Sequence, residues 1–184
     1  APPAAPAGTT HWVALTAVLA AGLAIALNVG KVPVALPLLR AELGLTLVQA
    51  GWVSSTLTAM AISFAALVGM WVGRIGALRM VIGGLLVCAA GSLLPLAAPG
   101  FGLLIAARLL EGLGFMVVAV ACPALVTAAT ASADRRFALG LWSSYMPAGA
   151  SLAMAGAPWL LPLGGWQGLW LATAAALLLA ALAL

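Results

Sequence analysis

The sequence predicts an all-α membrane protein with six transmembrane helices, and three observations carry that prediction. First, charged residues make up 5% of the 184-residue chain and hydrophobic residues 66%, whereas a soluble domain carries about 25% charged residues. The seven basic and three acidic side chains cannot cover a water-facing surface. Mean hydropathy is +1.26, so lipid is the solvent. Second, apolar residues gather into runs long enough to cross a hydrocarbon core, which takes about 20 residues as helix. Third, short segments with turn chemistry separate those runs. Transmembrane β-strands would alternate over about ten residues, and these runs are longer and apolar all round.

The chain opens with "APPAAPAGTT", and residues 1–11 are expected to form a disordered tail. The tail lacks the basic region of a secretory signal. The six expected spans are 12–38, 47–72, 78–98, 102–128, 137–161 and 167–184. Between them lie "RAELGLT", "GRIGALR", "PLAAPGFG", "TASADRR" and "LPLGGW". Arg74 and Arg79 fall between the second and third spans, Arg135 and Arg136 between the fourth and fifth. Cytoplasmic loops are enriched in Lys and Arg. Both termini are therefore expected in the cytoplasm. The basic residues punctuate apolar runs without forming a patch, so a nucleic-acid partner is not expected. The seven tryptophans lie mostly near span ends and read as an aromatic belt.

Shifting the chain by 89 positions brings Gly51, Ser54 and Ser55 onto Gly140, Ser143 and Ser144. It also brings Gly76 onto Gly165. Each unit then holds three spans, 12–98 and 102–184. An odd number of spans inverts the second unit, giving the 3+3 inverted repeat of one large class of secondary transporters.

Ionisable residues inside a span are expensive and usually face a cavity or a partner. Lys31 follows Asn28 by about one turn, and Glu111 follows Arg108 by three residues on one helix face. Two readings stand for each. Lys31 either snorkels to the outer interface or faces a cavity. Arg108 and Glu111 either neutralise each other or serve a solute. In the cavity reading, Lys31 and Arg108 converge on a small anion with Asn28, Tyr145 and Ser144 as hydrogen-bonding helpers, and Glu111 is the coupling or charge-pair acid. The serines serve equally as helix–helix glue. Gly51, Ser55, Ala59 and Ser63, at spacings of four, read as a tight packing face. Cys88 and Cys122 read as membrane-buried thiols rather than a disulfide or zinc site. His11 reads as an interface residue. Paired carboxylates, HExxH and a Ser/His pair are missing, so an enzyme, a metal and a cofactor are not expected.

"GMWVGRIGALRM" resembles the G-x-L-A-D-R-x-G-R-K loop of the major facilitator superfamily. Gly69, Arg74 and Gly76 match, Gly73 stands at the Asp position, and Arg79 lies just beyond. The resemblance implies that these residues form the conformational loop, without the acidic member of its lock. Glycines at 69 and 73 would equally let helix backbones approach. "RLLEGLG" resembles the family's fourth-helix element through Arg108 and Gly112. "RRFALGLW" and "GWQGLW" are similar to the starts of its fifth and sixth helices. The antiporter spacing G-P-x-x-G-G is absent. "GLWSSYMPAG" and "LNVGK" look most like the cyanate and nitroimidazole permease-like branch. The family resemblance covers nearly the whole chain and implies the N-terminal half of a major facilitator fold. It implies a secondary active transporter, or half-transporter, moving a small solute by alternating access across a bacterial inner membrane. A second six-helix half, from this chain or another, is expected opposite it. The competing class is a non-transporting module such as an assembly factor or small channel.

Overall fold

Lipid offers the backbone no hydrogen bonds, so a spanning chain must satisfy its own, and helices are the natural solution. The computed structural model describes residues 8–184, apart from the side chains of residues 61–67, and is helical almost throughout. The helices are α1 (Trp12–Leu43), α2 (Leu47–Ile75), α3 (Ala77–Ala97), α4 (Phe101–Ala129), α5 (Arg135–Ser143) and α6 (Tyr145–Leu182). Among the described residues, four helical stretches have the length and composition to cross a membrane: 12–43, 77–97, 101–129 and the nearly continuous 135–182.

Local chemistry sets the boundaries. α1 runs past residue 38 and stops at Gly44, whose left-handed φ of 62° turns its N–H onto the Arg40 carbonyl. Thr46 and Gln49 then close a capping box at the start of α2. A single residue, Gly76, separates α2 from α3 at φ 95°, a conformation that only glycine adopts without strain. The expected fifth span is interrupted at Ser144. Pro147 has no N–H to offer the Ser143 carbonyl, and the Ser144 N–H turns back to Leu141 instead. α6 breaks at Gly164 (φ −142°, ψ 17°) and Gly165 (φ 59°, ψ −160°). Its two arms fold back on each other: Leu152, Gly156 and Leu160 of the first line one small cavity with Leu169 and Thr173 of the second.

α1 packs chiefly on α6, and α4 packs on both α2 and α3. Small residues permit the crossings. A Cβ on Gly149 would stand 2.5 Å from the Ala26 Cβ across the α1–α6 contact. One on Gly112 would stand 2.8 Å from the Met60 Cβ across the α2–α4 contact. The chain start is tied in as well. Thr10 Oγ1 donates to Asp134 Oδ2 at 2.5 Å and accepts from the Ala131 N–H at 3.0 Å. The His11 N–H donates to the Ala129 carbonyl at 2.9 Å. Of the tail expected to be disordered, residues 1–7 lie outside the described residues, while Thr10 and His11 are anchored to the α4–α5 connection.

Three expectations about packing are corrected. Gly69 and Gly73 bring no backbones together, since no heavy atom lies within 4 Å of a Cβ built on either. Gly51, Ser55 and Ala59 lie on an exposed face of α2, with Ser63 outside the described side chains. The tryptophans divide: Trp12, Trp52, Trp71 and Trp159 are exposed, whereas Trp142, Trp166 and Trp170 are buried. The buried three pack inside the bundle because ring area shields apolar neighbours well.

Gly165→Ala forces a side chain into a backbone region essentially reserved for glycine. It is expected to destabilise the protein by about 1 to 3 kcal/mol, read as a lowered Tm in detergent. Gly69→Ala, in open space on a helix, is expected to leave Tm unchanged or slightly raised.

Candidate functional site

Three helices bring polar side chains to one buried point. Asn28 and Lys31 lie one turn apart on α1, Ser92 on α3, and Arg108 and Glu111 one turn apart on α4. All five are buried. Trp170 of α6 closes the cluster, with Lys31 Nζ 4.6 Å from its ring centroid. That distance suits a cation–π contact.

Lys31 Nζ donates to Glu111 Oε1 at 2.6 Å, to Asn28 Oδ1 at 2.8 Å and to Ser92 Oγ at 2.9 Å. An ammonium has three N–H donors, and here each has an acceptor. Ser92 Oγ lies 2.8 Å from Glu111 Oε1 and donates to it. Arg108 Nη1 donates to Glu111 Oε2 and to the Asn28 carbonyl at 3.2 Å. Its Nε donates to the Val53 carbonyl of α2 at 3.2 Å. One carboxylate therefore carries two cations, one on each oxygen, and the trio keeps a formal charge of +1. Arg108 Nη2 has no acceptor among the described residues, and Arg108 retains 2% of its surface.

Close backbone approach makes this possible. A Cβ on Gly91 would stand 2.8 Å from Glu111 Cγ, so the glycine beside Ser92 lets α3 reach the carboxylate. Cys88, one turn earlier, places its Sγ 3.2 Å from the Glu111 carbonyl. Cys88 and Cys122 are both buried free thiols.

The sequence-predicted residues separate. Asn28, Lys31, Arg108 and Glu111 meet, and the intrahelical Arg108–Glu111 contact is present. Lys31 reaches Glu111 and does not snorkel to an interface. Tyr145 is elsewhere: it stacks on Trp142 with ring centroids 4.4 Å apart and lies beside Gly22. Nine residues of helix separate Gly22 from Lys31, about 13 Å along the axis. Ser144 is exposed and donates to the Leu141 carbonyl at 2.7 Å. Gly69, Gly73, Arg74, Gly76 and Arg79 lie together at the α2–α3 link, exposed and outside the cluster. Sequence reasoning missed Ser92 and Trp170. A lone hydroxyl beside a glycine in mid-span was the available signal for Ser92. Trp170 carried none, because periodicity in an all-apolar helix does not mark the inward face.

The family model described as Major Facilitator Superfamily matches residues 14–184. No curated protein matches the chain significantly.

Removing one member of a buried ionic group leaves an uncompensated charge, at about 3 to 5 kcal/mol. The formal charges rank the variants. Glu111→Gln raises the trio to +2, whereas Lys31→Met and Arg108→Met each leave one cation on one carboxylate. Glu111→Gln is therefore expected to lower Tm in detergent the most of the three, by that order of free energy.

Proposed function

The chain belongs to the major facilitator superfamily, whose members are membrane transporters, and on that premise we propose that it is one six-helix half of a secondary transporter working by alternating access. The six spans are α1, α2, α3, α4, the α5–α6 segment up to Gly164, and the α6 arm beyond Gly165. A 3+3 inverted repeat is supported by the surroundings of its matched residues. Gly51, Ser54 and Ser55 on α2, Gly140 and Ser143 on α5, and Ser144 at the end of α5 are all exposed. Ser54 and Ser143 each donate to the carbonyl four residues back. The α1–α6 and α4–α2 crossings are related by the same repeat.

The solute is a small anion. The observation that carries this is the formal +1 of a trio in which Arg108 Nη2 has no acceptor among the described residues. Lys31 acts through the positive charge that it contributes, because its own donors are taken, and Asn28 helps by holding Lys31. Arg108 offers the open donor, and guanidinium groups bind carboxylate-like anions well. Glu111 is the acid available for coupling. Tyr145 and Ser144 lie on the α5–α6 face, apart from the trio. A second six-helix half supplies the opposing wall of the cavity. The permease-like branch rests on "GLWSSYMPAG" and "LNVGK" alone.

Proteoliposomes are expected to take up labelled small monovalent anions above empty vesicles, and to ignore a neutral solute of the same size. Folded Arg108→Met is expected to lose at least about tenfold of that uptake, equivalent to about 1.4 kcal/mol. Normal uptake by both Arg108→Met and Lys31→Met would make the cations structural. For topology, the Arg distribution places both termini and the α2–α3 link in the cytoplasm of a bacterial inner membrane. A Cys at Ala77 is expected to resist an impermeant reagent applied outside whole cells, and one at Pro99 to react. The reverse pattern overturns the orientation.

A further inference from the structure

The arginines of the α2–α3 link have no counterion among the described residues. Arg74 closes the last turn of α2 and Arg79 stands in the first turn of α3. Both are exposed. The two ion pairs found among the described residues are those of Glu111, and neither arginine takes part in them. No side chain caps the start of α3.

From Arg79 an apolar trench of about 630 Å³ runs between α2, α3 and α4. Val68 and Trp71 line it from α2, Gly83 from α3, and Leu113 and Val117 from α4. Gly83 supplies much of its width: a Cβ there would meet no heavy atom within 4 Å. The α3 lining extends from Arg79 to Val87. Eight residues of helix rise about 12 Å, slightly less than half of a hydrocarbon core about 30 Å thick. The trench is thus one leaflet deep, cationic at its mouth and apolar along its length.

We propose that this trench is a binding site for a membrane phospholipid with an anionic headgroup, its phosphate on Arg79 and one acyl chain laid along Gly83 between α3 and α4. Charge complementarity and depth select this occupant. A partner helix crossing both leaflets would outrun the trench, and a soluble anion would leave its apolar walls bare. Trp71, exposed beside the mouth, sits where amphipathic rings favour the headgroup level. The inference is independent of the solute and of which side of the membrane the link faces.

The test is retention of dioleoyl phosphatidylglycerol by the purified chain in detergent, measured by native mass spectrometry against dioleoyl phosphatidylcholine. The wild type is expected to retain phosphatidylglycerol in preference. Arg79→Gln is expected to weaken retention about fivefold, the loss of one basic residue at an anionic headgroup. Gly83→Leu fills the trench and is expected to abolish the preference. Arg136→Gln, an exposed cation on the α4–α5 side, is expected to change nothing. Equal retention of both lipids overturns the proposal. An equal loss in Arg136→Gln also overturns it, as general surface attraction. Displacement of the lipid by glycerol 3-phosphate overturns it in favour of a soluble anion. Should Gly83→Leu fail to fold, Arg79→Gln against Arg136→Gln decides the question.

Discussion

The bundle is organised around one carboxylate. Glu111 sits where neither water nor lipid can solvate it, and it accepts from Lys31 on one oxygen and Arg108 on the other. A charge at mid-membrane is costly by any scale, and these three are tolerable only together. The requirement is geometric. α1 must bring Lys31, α3 must bring Ser92, and α2 must offer the Val53 carbonyl, all within hydrogen-bonding distance of α4. A helix displaced by a few ångströms would strand a buried charge. The cluster therefore fixes the register of helices whose apolar surfaces alone would slide.

That register depends on how closely the backbones approach. Gly91 admits α3 to Glu111, Gly112 admits α2 to α4, and Gly149 admits α6 to α1. In lipid no hydrophobic force draws helices together, so contact area and buried polar bonds must do so. The glycines that matter are those with a neighbour in the way of a Cβ. Gly69 and Gly73, which carry the loop resemblance, have open space instead.

The division of polar groups bears on transport. Lys31, Arg108 and Glu111 face inward and bind one another, while the hydroxyls of Ser54, Ser55, Ser143 and Ser144 are exposed. Each of those hydroxyls donates to a backbone carbonyl three or four residues before it. The family match over residues 14–184 supports a membrane transporter in general.

Much of this was readable from residues alone. Hydropathy located the apolar runs, because lipid demands an apolar surface wherever a helix crosses it. Gly44 and Gly76 lay in the turn segments that separate those runs, because each changes what the backbone can do locally, whereas the break at Ser144 falls inside a span expected to be continuous. The Arg108–Glu111 pair followed from helical spacing. Only the tertiary structure decided that Lys31 joins that pair across 80 positions of sequence, and that Ser92 and Trp170 complete the group. It also decided that Tyr145 does not reach it, and that the small stripe of α2 faces outward. The physical reason is common to all four. In a helix that is apolar on every side, sequence periodicity does not distinguish the face turned to lipid from the face turned to protein, and only the packing of neighbours makes that choice.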